Sequence, residues 1–284
     1  VEERANTFVN YSRLWRQFIK DGKQLLWLSE RDNWNHLYLY DVQKAKVIRQ
    51  ITKGEWFVRG IQRVDEEKGE IYFSACGMNK NEDPYLVHYY KIGMDGKNLV
   101  ALTPEEGNHS VQYTYDYRYM LDTYSKVDTA PVTVLRDAQT GKLVKTLETA
   151  DISTLRKHGW QTPEVFVAKG RDGKTDMWGI IQRPSNFNPN KKYPVIEYIY
   201  SGPGDAYTPK SFMPYNRYTT SLVELGFIVV QLDAMGTSYR GKKFEEVCYK
   251  NLKDAGFPDR ELWIKAAAKK LSLIHISEPT RLGM

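Results

Sequence analysis

The chain has 284 residues, with 41 Lys and Arg against 35 Asp and Glu, a formal net charge of +6. Its 41% hydrophobic and 27% charged residues are those of a globular protein and exclude a disordered chain. The basic excess is spread without a run of five, which argues against nucleic acid as a partner, and no apolar run approaches the ~18 residues of a membrane helix. The length suits two domains. Cys76 and Cys248 are too few and too far apart for a disulfide framework or a metal site, and read as free thiols.

The first half repeats. DGKQLLWLSE leads to NHLYLYDVQKAKVIRQIT, GEIYFSACG to YLVHYYKIGMDGKNLVALT, and YMLDTYSK to PVTVLRDAQTGKLVKTLE. Each unit reads as strand, polar break, strand, tight turn and strand, with the turns at QKAK, MDGK and AQTGK. Thr52, Thr103 and Thr146 are taken as equivalent positions, about 51 and 43 residues apart. Antiparallel units repeating every ~40–50 residues predict β-propeller blades. Propellers usually have four to eight blades, and this chain has about three. An open ring exposes sheet edges, so the expectation is a ring truncated before Val1.

After Lys157 the pattern changes. EVFVAKG and DMWGIIQRP read as two strands around the turn RDGK. YPVIEYIYSGPG carries a near-continuous apolar run, as in a strand buried on both faces. A helix follows around RYTTSLVEL, stopped by Gly226, then the buried strand FIVVQLD. A second helix starts at FPDRELWIKAAAKK, with Asp259 as its expected N-cap. Strand and helix in alternation, with apolar strands, predict an α/β layer with parallel pairing.

ITKGEWFVRGI, YPVIEYIYSGPG, LGFIVVQLDAMGTSYRG and NLKDAGFPDRELWIKAA resemble the prolyl oligopeptidase family of serine peptidases, and within it the dipeptidyl peptidase IV branch. The similarity covers nearly all of residues 10–270. Its most specific pieces are the Ser-Gly-Pro-Gly loop and the Asp-x-x-Gly-Thr turn, in order and at this distance. The resemblance implies a β-propeller fragment of about three blades (residues 1–157) followed by the N-terminal part of an α/β-hydrolase domain (158–270). It also implies peptide substrates, acyl-enzyme chemistry and release of N-terminal dipeptides with Pro or Ala second. Members are often dimeric and, in bacteria, often periplasmic, so a homodimer and a periplasmic or secreted location are expectations for the full-length parent. No cofactor is implied.

The resemblance gives Tyr200 a role: the branch uses a Tyr at the end of this strand to donate its hydroxyl to the developing oxyanion. From loop position, Tyr207 and Phe212 are expected to line the substrate pocket. The nucleophile elbow G-x-S-x-G is not found. The nearest match, GTSYRG, puts Arg240 where the second Gly should stand, so Ser238 reads as a loop residue after FIVVQLD. In the family the nucleophile, acid and His follow the helix matching DRELWIKAAAKK, so this chain is expected to stop before all three and to be inactive by itself. SGPG is no dinucleotide fingerprint, because Pro203 lacks the N–H a phosphate cradle would use and the third Gly is missing. Family members often carry Asp-Gly-Arg-Gly where this chain has Asp233, Ala234, Met235 and Gly236, so the Arg is lost and a divergent subgroup is implied.

His36, His88, His109 and His158 stand singly, without metal-ligand spacing. Glu245 and Glu246 read as a solvated helix face. The final LSLIHISEPTRLGM (271–284) alternates like a strand and sets His275 two residues from Ser277, but LSLIHISEPTR resembles a translated sequencing-library adapter. That tail is therefore expected to be extraneous. Two functional readings stand: a fragment of a serine dipeptidyl peptidase, or a non-catalytic propeller-based protein-binding module.

Overall fold

The computed structural model describes residues 2–271, so the expectations for His275, Ser277 and the tail beyond Leu271 lie outside the described residues. The first half folds into three four-stranded antiparallel sheets. The first holds β1 (Arg16–Ile19), β2 (Gln24–Ser29), β3 (His36–Asp41) and β4 (Lys46–Gln50). The second holds β5 (Phe57–Asp65), β6 (Glu70–Cys76), β7 (Val87–Gly93) and β8 (Val100–Ala101). The third holds β9 (Asn108–Tyr113), β10 (Tyr119–Lys126), β11 (Thr129–Asp137) and β12 (Leu143–Thr149). Strand order follows chain order in each, the blade unit of a propeller. The sequence repeat captured three strands per blade and missed the opening ones, β1, β5 and β9, whose polar residues interrupt the apolar pattern.

Side-chain alternation explains the stacking. In β6, Ile71, Phe73 and Ala75 join Leu26, Leu28, Leu37 and Leu39 of the first blade in one buried cluster. Tyr72, on the opposite face, packs with Leu102, Met120 and Ala138 in the cluster against the third blade. A central blade thus buries both faces of its strands, by the period of two. The outer strands β4 and β12 are exposed, and Lys46 and Lys145 mark them as edges.

The turn between the last two strands of each blade needs a left-handed residue, supplied by Ala45 (φ 50°), Gly96 (φ 80°) and Gly141 (φ 73°). Gly96 abuts the Ile51 backbone and Gly141 the Leu102 backbone, so each turn packs on the end of the preceding blade. The threonine equivalence holds for two blades only. Thr52 and Thr103 are buried and their hydroxyls accept the Leu37 and Tyr89 N–H groups at 2.9 Å, whereas Thr146 is exposed on β12 opposite Val134. Thr52 and Thr103 lie two residues past the ends of β4 and β8, whereas Thr146 lies in the middle of β12.

After the short α1 (Ser153–Lys157), the chain builds a sheet from β13 (Glu164–Lys169), β14 (Asp176–Gln182), β15 (Val195–Glu197) and β16 (Ile228–Asp233), in the order β13-β14-β16-β15. β15 and β16 are parallel, joined through α2 (Thr220–Glu224). β16 is buried along its whole length, as expected. β15 is not: it is three residues long, half-buried, and at the edge of the described sheet. A strand paired on one side only cannot bury an apolar run as a central strand does. The chain continues through α3 (Lys242–Glu245) to α4 (Phe257–Leu271). Trp263 of α4 is fully buried on the sheet, edge-on to Phe166 at 5.1 Å, directly over Gly179, where a Cβ would come within 2.7 Å of the indole.

Asp259 is not the N-cap of α4. It lies inside the first turn, and its carboxylate turns away to accept the Arg171 N–H at 2.7 Å, the Arg171 guanidinium and the Met235 N–H at 3.2 Å. A carboxylate at a helix start is favoured by the dipole whichever donors it chooses, and here a partly exposed arginine from the β13–β14 turn outcompetes the helix's own N–H groups.

Candidate active site

β15 delivers the chain to the site. Glu197 is buried and paired with Arg260 of α4, and the Tyr198 N–H extends the parallel pairing to Val230 O at 2.9 Å. Tyr200 follows at the C-terminal end of the strand, 45% exposed. Its ring stacks on Tyr207 at 5.3 Å. Its hydroxyl faces Gly204, 3.0 Å from where a Cβ would stand. Ser201 (φ 58°) supplies the left-handed residue that reverses the chain after Tyr200.

The loop from Tyr200 to Phe212 is held at three points. At the end of β16 the buried Asp233 carboxylate accepts the Tyr207 N–H at 2.7 Å and the Thr208 N–H at 3.1 Å. Near the loop's start, Pro203 O accepts hydrogen bonds from Asn10, Arg13 and Ser238. Near its end, Lys210 pairs with Asp83 at 2.7 Å, and the Phe212 N–H donates to Ser125 Oγ at 3.0 Å. Two of these three anchors come from the propeller sheets or the segment leading into them. Tyr198 and Tyr207 share a hydroxyl–hydroxyl hydrogen bond of 2.8 Å, and that bond, with burial second, pushes the Tyr207 phenol up to about 12. Tyr218 stacks on Tyr198 at 5.7 Å, completing an aromatic patch around Tyr200.

The structure brings Tyr200 and Tyr207 into one stack. It places Phe212 elsewhere, tilted against Trp160 at 5.4 Å. Ser238 is fully buried, and its hydroxyl donates to Pro203 O at 2.6 Å and accepts from Arg13. Among the described residues, no serine hydroxyl is hydrogen-bonded to a histidine ring. Three histidines serve the blades: His36 bonds Thr52 and Gly54 O, His88 bonds Glu82 and Thr103 O, and His109 bonds Asp122 and Glu105 O, while His158 bonds Thr154 O at the end of α1. His88 and His109 stand 4.8 Å apart, across the junction of the second and third blades.

The acidic doublet is not a solvated face. Glu245 is buried, 1% exposed, and receives Arg13 at 2.7 Å and Asn10 at 3.0 Å, while Glu246 bonds Thr7 and Lys242. Arg13 also reaches Glu30 at 2.5 Å. Burial pushes the Glu30 carboxyl above the ordinary carboxylate range, with Arg13 only partly opposing it. The sequence held no local sign of this cluster, because Arg13 and Glu245 are 232 residues apart. Asp233 could have been suspected: an Asp ending a fully apolar strand needs donors nearby.

The comparisons with known proteins agree with this arrangement. A family model for the dipeptidyl peptidase IV N-terminal region matches residues 1–131, and one for the prolyl oligopeptidase family matches residues 213–281. The order of the two matches is the order of the propeller sheets and the α/β sheet. At both ends the chain is thus similar to the prolyl oligopeptidase family, in its dipeptidyl peptidase IV-like branch. It is 30% identical over 251 residues to a dipeptidyl peptidase 4 of Trichophyton rubrum, and 28% identical over 230 residues to one of Arthroderma otae. The first alignment covers 86% of this chain and the second 79%. The chain spans 31% and 29% of the length of these two relatives. The crystal structure of Porphyromonas gingivalis dipeptidyl peptidase 4 superposes with a TM-score of 0.75 at 24% identity, over 95% of this chain and 37% of that one. That match supports the fold: propeller blades followed by the start of an α/β-hydrolase domain.

Proposed function

We propose that the chain is part of a serine dipeptidyl peptidase that releases N-terminal dipeptides with Pro or Ala in second place. Residues 1–157 are its propeller portion and 158–270 its hydrolase portion. Tyr200 is the oxyanion donor and Tyr207, stacked on it, lines the substrate pocket, while Phe212 packs on Trp160 away from that stack. One observation carries the reading: the half-exposed Tyr200 stands three residues beyond the C-terminal end of the parallel strand β15, on a loop fixed by Asp233 and by the propeller side. The carboxyl ends of parallel strands are where open α/β sheets bind their ligands.

In the proposed reaction, a serine hydroxyl of the parent enzyme attacks the peptide carbonyl while the parent's histidine takes its proton, and the carbonyl oxygen gains negative charge. The Tyr200 O–H donates to that oxygen. A fixed donor aimed at charge that develops only in the transition state contributes about 2.7–4 kcal/mol to lowering the barrier. Stacking on Tyr207 reduces the reorientation needed at that moment.

The test uses Gly-Pro and Ala-Pro chromogenic substrates. The 284-residue chain should not hydrolyse them, and turnover by it would contradict the expectation that its nucleophile lies elsewhere. The complete reading frame should hydrolyse them, with Tyr200→Phe lowering kcat about 10²–10³-fold. A complete protein without this activity would favour the binding-module reading.

A further inference from the structure

Pro203 O lies three residues beyond Tyr200 and receives three donors: Arg13 Nη2 at 3.1 Å, Asn10 Nδ2 at 3.0 Å and Ser238 Oγ at 2.6 Å. A carbonyl oxygen has two lone pairs, so this one is fully engaged. Asn10 and Arg13 precede β1, and Ser238 follows β16, so the carbonyl is fixed from both halves of the molecule. Arg13 is itself immobilised. Its side chain is 8% exposed, is forked onto Glu245 and Glu30, and lies 5.2 Å from the Phe57 ring centroid and 5.4 Å from that of Tyr239. The rigid guanidinium fork suits such multiple bonding, which a lysine ammonium cannot reproduce.

The chain between this anchor and Tyr200 is short. Only Ser201 and Gly202 intervene before Pro203, and Ser201 is already committed to a left-handed turn. On the far side of Pro203, Gly204 leaves room for the Tyr200 hydroxyl, which lies 3.0 Å from where a Cβ would stand, and the Ser238 N–H continues the clamp to Asp205 O at 3.2 Å. Displacing the Pro203 carbonyl therefore moves the loop on both sides of Tyr200.

We propose that Arg13, assisted by Asn10 and Ser238, is a positioning residue for the Tyr200 hydroxyl, a role that rests on reading Tyr200 as the oxyanion donor. Arg13 touches no reacting atom. It makes the hydrolase site depend on the segment that leads into the propeller.

Two arms test this separately. In the first, the 284-residue chain carries 3-fluorotyrosine at position 200 alone and is observed by ¹⁹F NMR. Arg13→Lys keeps the charge facing Glu30 and Glu245 but loses the fork, and the double variant Asn10→Ala with Ser238→Ala removes the other two donors without stranding a charge. Each should shift or broaden the resonance under conditions where circular dichroism shows an unchanged fold. A resonance unchanged in position and width in both variants overturns the proposal. In the second arm, in the complete reading frame, Arg13→Lys should lower kcat at least tenfold with KM within twofold, and should have no further effect in a Tyr200→Phe background. Independent, multiplicative losses overturn positioning through Tyr200. An unchanged kcat for Tyr200→Phe instead defeats the oxyanion reading, while the fluorine signal still decides whether Arg13 orders the loop.

Discussion

Arg13 and Glu245 form a buried ion pair of 2.7 Å between the segment before the first blade and the third α-helix, with side-chain exposures of 8% and 2%. Removing one partner of such a pair leaves an uncompensated buried charge, which costs about 3–5 kcal/mol. Arg13→Met strands both Glu245 and Glu30 and should therefore lower the urea-unfolding free energy by at least that amount, whereas Glu245→Ala leaves Arg13 paired with Glu30 and should cost less. The triple variant Arg13→Met, Glu30→Leu, Glu245→Leu should lose far less than Arg13→Met, because no charge is then stranded. Equal losses for Arg13→Met and the triple variant would show that packing, and not charge, dominates the cluster.

Gly141 and Ala45 occupy the same turn position in different blades and should respond oppositely to exchange. A Cβ at Gly141 would lie 2.7 Å from the Leu102 Cα and carbonyl oxygen, in a residue at φ 73°. Overpacking and left-handed strain add, so Gly141→Ala should destabilise by about 2–4 kcal/mol. Ala45 (φ 50°) already bears the left-handed strain, and Ala45→Gly should stabilise by up to about 1 kcal/mol. Thermal denaturation of the two variants decides both.

His36 and His88 should give pH responses of opposite sign. At His88, burial lowers the pKa, but hydrogen bonds to Glu82 and Thr103 O outweigh it, so the folded pKa is raised above 6.5. Its stabilising contribution is complete below 6.5 and is lost as pH rises through the raised value. At His36 burial dominates and the folded pKa is lowered. That contribution is present above 6.5 and is lost as pH falls through the lowered value. Urea midpoints across pH 5–9 should show His88→Asn reducing the alkaline decline and His36→Asn reducing the acid one.

Asp233 should control the Tyr200 loop more than the core. Its carboxylate accepts the Tyr207 and Thr208 N–H groups. Asp233→Ala leaves both donors without it and costs about 1–3 kcal/mol for each that water does not reach. Limited proteolysis should then cut within residues 200–212 before the sheets. Protection equal to that of the parent chain would mean that the Pro203 and Lys210 anchors suffice.

The blades were legible because their evidence is local. Alternation of period two, and a turn residue able to take positive φ, lie within about twenty residues of each other in LYLYDVQKAKVI and its repeats. The parallel β15–β16 pair was legible for the same reason: strand, helix and strand follow in one short stretch. The length of β15 and the exposure of its apolar run were not, since a run such as PVIEYIY reads alike at an edge and at a centre.

What the sequence alone determined is thus the order of blades and α/β layer, and Tyr200 as the residue to examine. The tertiary structure decided how Tyr200 is held, that Glu245 is buried and not solvated, that Asp259 serves Arg171 and not its own helix, and that Thr146 has no counterpart role to Thr52 and Thr103. The physical reason is common to all four. A charged or hydroxyl group is buried or exposed according to whether a partner meets it, and these partners come from elements that only folding brings together.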